Sequence, residues 1–147
     1  MRVPGRVSMT FLLLILLSGS VAALSPRVEK GVLDLSEIQQ GDEFTVRMNG
    51  EWEFYFGTFI NGTPGDICDT LIPDCYATVP GYWSDYTVDG RKLPRFGYAT
   101  YRALILLPRG YRDRMGFDMP VFDTSYEITI NGVTMARNGT PARTRAE

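Results

Sequence analysis

Any binding chemistry in this sequence is concentrated between Tyr82 and Asn131. Tyr82, Trp83, Tyr86 and Tyr98 offer aromatic faces, and Asp85, Arg95, Arg102 and Asn131 offer charged or amide groups. Rings beside a few fixed polar groups suit a sugar, which has apolar C–H faces and a rim of hydroxyls. Arg102 lies within an apolar run, where a guanidinium must be paired. It either meets a carboxylate or carbonyl of this chain or receives an anionic ligand, such as a small carboxylate, through its fork of N–H donors. Each residue also has a structural reading. Trp83, Tyr98 and Tyr101 suit packing, and Asn131 precedes a glycine as a turn residue does.

Other chemistry is excluded by composition. The chain has no histidine, which removes Ser-His-Asp, Cys-His and His-metal sites together. Cys68 and Cys75 cannot complete a structural zinc set between them. In an oxidising compartment they are candidates for a disulfide. Glu51 and Glu53 could be read as paired catalytic carboxylates, but a strand with its acids in water explains them more simply. There is no nucleotide-binding loop. The expectation is a protein that is not an enzyme and needs no cofactor. A net charge of −2 argues against nucleic acid as a partner.

The start of the chain has the layout of a secretory signal peptide. Arg2 and Arg6 precede the apolar run Met9–Leu17, and small residues lead to Val21-Ala22-Ala23. The run is short for a membrane span, which needs about 20 residues. The expected organisation is a signal peptide over 1–23, a linker over 24–30 and a domain over 31–147, exported to the periplasm or the outer face of a membrane.

Within 31–147 the period is that of strands. Gly97–Pro108 reads as the longest one, with both faces apolar and covered from Ala103 onward. Trp52, Phe54 and Phe56 share one face of a second strand, opposite Glu51, Glu53 and Tyr55. Gly31–Leu35, Phe44–Met48 and Met115–Pro120 read as shorter strands, the last with Met115, Phe117 and Met119 inward. Tyr126–Ile130 and Val133–Ala136 form a hairpin around Asn131-Gly132, a type I′ dipeptide. Asn49-Gly50 and Asp89-Gly90 are further turn signals, and Thr58–Thr78 reads as one long turn-rich loop. With no helical period, the fold class is all-β, a β-sandwich.

Four stretches in order carry a family resemblance: Gly50-Glu51-Trp52-Glu53-Phe54-Tyr55; Val79-Pro80-Gly81-x-Trp83; Gly97-Tyr98-Ala99-Thr100-Tyr101-Arg102 through Leu107-Pro108; and Ser125-Tyr126 through Ile130-Asn131-Gly132 to Asn138-Gly139. Together they resemble the amino-terminal galactose-binding-like jelly roll of bacterial seven-transmembrane receptors with diverse intracellular signalling modules, and of related cyclases and kinases. More distantly, they are similar to the sugar-binding domain of β-galactosidase- and β-glucuronidase-type glycosidases. The resemblance implies a jelly-roll sandwich that senses a ligand outside the cell. Its partners would be a sugar or small carboxylate and the membrane and signalling domains of a longer homologue. It also implies strands beyond Asn138-Gly139, so the domain is expected to be incomplete at its C-terminus. A glycosidase accessory domain and a scaffold without ligand are the alternatives.

Overall fold

The computed structural model describes residues 25–39, 41, 43–61, 70–119 and 124–144. The leader over 1–23 and Cys68 lie outside the described residues. The fold is all-β: of the described residues, 37 % are in strands and 4 % in helical turns. Nine strands are described: β1 (Val32–Asp34), β2 (Gly50–Phe56), β3 (Cys75–Val79), β4 (Thr87–Val88), β5 (Arg91–Lys92), β6 (Ala99–Arg102), β7 (Leu104–Leu106), β8 (Tyr126–Ile130) and β9 (Val133–Asn138). They form a three-stranded antiparallel sheet β3-β2-β6, a parallel pair β1-β7 and two hairpins, β4-β5 and β8-β9.

Gly97–Pro108 is not one strand. It breaks at Ala103, because its two halves serve different partners: β6 runs antiparallel to β2, with Arg102 opposite Glu53, and β7 runs parallel to β1, with Ile105 opposite Leu33. Nor is its second half covered on both sides. Ala103, Ile105 and Leu107 pack against the buried Val28, Leu33 and Leu35, with Ile38, Val46, Met48 and Trp52 around them. Leu104 and Leu106 point away and stay 43 % and 40 % exposed.

The linker reading of 24–30 fails from Val28 onward. Val28 is fully buried, its N–H donates to the Asn49 carbonyl at 2.9 Å, and its carbonyl accepts from Glu51 N–H at 2.8 Å. This crossing explains Gly50. Its φ is +135°, and a Cβ there would lie 2.0 Å from the Val28 oxygen, so only glycine admits the approach. Asn49-Gly50 is therefore not a hairpin turn, and Phe44–Met48 is not a strand. Its alternation survives only in part: Val46 and Met48 are half-buried while Thr45 and Arg47 are exposed, but Phe44, expected on the same face as Val46 and Met48, is exposed too.

The stretch Thr58–Thr78 read as loop holds most of β3, whose Ala77 is buried opposite Trp52. Cys75 sits in β3 opposite Phe54 as a half-buried free thiol, and burial, then the neighbouring Asp74 carboxylate, raises its pKa. Met115–Met119 forms no strand, and Met115, Phe117 and Met119 are exposed rather than inward. The two remaining turn signals hold. Asp89-Gly90 and Asn131-Gly132 have positive φ at both positions and close two-residue hairpins. Tyr126, Ile128 and Ile130 are half-buried along β8. Among the described residues no helix is long and apolar enough to cross a membrane.

Candidate functional site

The sheet β3-β2-β6 separates the sequence candidates onto two faces. On one face, alternation along β2 puts Phe54 opposite Tyr101 of β6, with ring centroids 4.9 Å apart at 66°. Tyr86 meets Phe54 edge-on at 5.4 Å, and Trp83 meets Phe56 edge-on at 6.2 Å. These arrangements suit the ring quadrupole and add to the burial of apolar area.

The Val79-Pro80-Gly81-x-Trp83 stretch positions two of these rings. Trp83 opens a 3₁₀ turn, Trp83–Asp85, and its indole N–H donates to the Pro94 carbonyl at 3.0 Å. The Tyr86 hydroxyl donates to the Thr78 carbonyl at 2.8 Å. Gly81 makes room for that bond, since a Cβ there would fall 2.6 Å from the Thr78 oxygen and 3.0 Å from the Tyr86 hydroxyl. The Tyr101 hydroxyl in turn bonds to that of Tyr86. Burial pushes both phenols above their ordinary pKa, Tyr101 the further.

On the opposite face Arg102 and Glu53, directly across the β2–β6 ladder, form an ion pair with side chains only 28 % and 18 % exposed. The Tyr55 hydroxyl donates to the same Glu53 oxygen at 3.1 Å and lies 3.4 Å from the Leu71 carbonyl. Burial, reinforced by the Glu53 carboxylate, pushes Tyr55 up to about 12. The reading of Glu53 as an acid in water is thus corrected: only Glu51 is solvated, while Glu53 is the internal partner that Arg102 requires.

The other candidates do not converge with these. Asp85 and Arg95 are exposed. Tyr98 stacks on Phe59 with centroids 4.7 Å apart. Asn131 occupies a positive-φ position in the β8–β9 turn, which accounts for it without a ligand. Two aromatic side chains stand out in water instead: Tyr82 at 79 % and Phe96 at 89 % exposure. In sequence Tyr82 directly precedes Trp83, and Phe96 lies two residues beyond Pro94, the two residues that the indole hydrogen bond joins. The sequence reading missed Phe96. Its signal was an aromatic placed between Arg95 and Gly97, outside any alternating run. Among the described residues no cluster of His, Cys, Asp or Glu could hold a metal ion.

This geometry can present rings to a ligand surface, with polar contacts from Asp85 and Arg95 nearby in sequence. It leaves the Arg102 charge committed to Glu53. No family model, curated protein or solved structure matches the chain.

Proposed function

We propose that this chain is a non-catalytic galactose-binding-like jelly-roll module of an exported bacterial membrane sensor, and that it takes a carbohydrate at the edge marked by Tyr82, Trp83 and Phe96. The observation that carries this reading is the pair of solvent-exposed aromatics, Tyr82 and Phe96, close in sequence to the two residues of the Trp83–Pro94 bond. Exposed large rings beside a fixed one are what a sugar's apolar face stacks on. The sensor assignment draws support from the way three resembling stretches meet in one sheet: Gly50 pairs with Val79, Phe54 with Tyr101, and Trp83 packs on Phe56. A carboxylate ligand is the weaker choice, because Arg102 already has its counter-ion. The scaffold reading has its own supporting observation, since the Trp83 indole N–H is satisfied internally.

The test is a titration of the exported protein, processed near Ala23 or Leu24, with a panel of mono- and oligosaccharides while following tryptophan fluorescence and melting temperature. The expected result is a saturable fluorescence change that is lost in Tyr82→Ala and Phe96→Ala, two exposed sites whose replacement leaves the melt unchanged. If no saccharide moves either signal, the scaffold reading replaces this one.

A further inference from the structure

A second surface lies after β7, where the chain turns at Pro108–Tyr111 through a Tyr111 N–H to Pro108 carbonyl bond of 3.0 Å. Arg109, Arg112 and Arg114 follow in close succession, all exposed, and none forms an ion pair among the described residues. The same stretch holds two exposed acids, Asp113 and Asp118, so residues 109–119 carry three arginines against two aspartates and remain net positive; an Asp113 carboxylate oxygen accepts from Gly41 N–H at 2.8 Å, tying this loop to another part of the chain. Immediately beyond, Met115, Phe117 and Met119 are all exposed. The loop therefore offers unpaired guanidinium groups next to unburied apolar side chains. That combination needs a partner both anionic and able to accept hydrocarbon.

We propose that this loop, residues 109–119, is a contact surface for an anionic lipid bilayer. The arginines meet lipid phosphates, which suit the guanidinium fork, and Phe117 with its flanking methionines enters the headgroup boundary. Charge favours this occupant and sets an orientation. The chain as a whole is negative, with a net charge of −2, so an anionic surface repels the rest of the molecule and attracts it loop first. The inference is independent of the carbohydrate reading. A chain that binds vesicles and no sugar keeps the first and loses the second.

The experiment is sedimentation of the full chain with vesicles of phosphatidylcholine, either pure or doped with phosphatidylglycerol, at low and high salt. The apolar run Met9–Leu17 is common to every variant, so the comparison rests on differences between variants. Wild type is expected to favour the anionic vesicles and to lose that preference in salt. The triple change Arg109→Gln, Arg112→Gln, Arg114→Gln should weaken anionic binding on the order of 100-fold, from the usual contribution of each basic residue near a charged surface. Arg→Lys at the same three positions should retain most of the binding, and Phe117→Ser should weaken it without abolishing the charge preference. Equal binding by wild type and the Gln triple would overturn the proposal, as would loss of binding in the Lys triple. Self-association of wild type that the Gln triple abolishes would also overturn it, because a second copy would then be the occupant.

Discussion

Replacing Gly50 by alanine should be far more damaging than its size suggests. The new Cβ would lie 2.0 Å from the Val28 carbonyl oxygen, and the backbone carries a φ of +135° there. Holding that φ with a side chain costs about 1–3 kcal/mol. The collision is with backbone, so Val28 must move. Moving it gives up the Val28–Asn49 and Glu51–Val28 hydrogen bonds, each contributing about 1 kcal/mol. It also exposes a side chain that is fully buried, a further loss of about 1.5 kcal/mol or more. The combined effect is about 5 kcal/mol, comparable with the whole stability of a small domain. Gly110→Ala is the matched control. Its φ is +78°, but nothing lies within 4 Å of the added Cβ, so only the left-handed strain of about 1–2 kcal/mol applies. Urea unfolding followed by tryptophan fluorescence separates the two, because Trp52 packs on the cluster that contains Val28. With a slope of about 1–3 kcal/mol per molar urea, Gly110→Ala should shift the midpoint by roughly 1 M. Gly50→Ala should show no cooperative transition. A cooperative melt for Gly50→Ala with the midpoint of Gly110→Ala would refute the crossing of Val28 over Gly50.

Two further predictions concern the polar and aromatic faces of the same sheet. Arg102→Ala leaves the half-buried Glu53 without its cation and should cost on the order of 2 kcal/mol. Adding Glu53→Ala should recover part of that loss, and a double-mutant cycle with zero coupling would show that the pair contributes nothing. Tyr55, Tyr86 and Tyr101 all have raised pKa values in the folded state. Their contribution to stability is fully present below pH 10, the unfolded value, and is lost as pH rises, for Tyr55 through about 12. Denaturation midpoints measured across that range should fall, and Tyr55→Phe should flatten the slope. A midpoint that holds level above pH 10 would contradict the burial of these phenols.

The parts of the fold that were legible in the sequence are those set by neighbours along the chain. The Trp52/Phe54/Phe56 alternation is visible because side chains on a strand alternate whatever its partner. Asp89-Gly90 and Asn131-Gly132 are visible because a type I′ turn requires residues that tolerate positive φ. What was not legible depends on register with distant partners. Nothing between Gly97 and Pro108 announces that β2 takes one half and β1 the other, so the break at Ala103 went unseen. Val28 looked like linker because its backbone partners, Asn49 and Glu51, and much of the cluster that buries it lie far along the chain. Phe44–Met48 and Met115–Met119 show that alternation alone does not make a ladder. In the candidate site, the need of Arg102 for a carboxylate was legible, but the identity of Glu53 follows only from the β2–β6 register. Trp83 and Tyr86 were found as aromatics, whereas for Phe96 the only signal was its place between Arg95 and Gly97, outside any alternating run.

The parallel pairing of β1 with β7 has a consequence in time. A ribosome or an export channel delivers Val32–Asp34 first, and their partner Leu104–Leu106 arrives about seventy residues later. At synthesis rates of about 5–20 residues per second, the gap is several seconds, long compared with the microseconds in which a hairpin forms. Throughout that wait Val28, Leu33 and Leu35 have no Ile105 or Leu107 to pack against. A segment that ends with three buried apolar side chains, Val28, Leu33 and Leu35, therefore stays uncovered in the newborn chain. It is where a holding chaperone would be expected to grip, and it lets go only when the chain reaches Leu107.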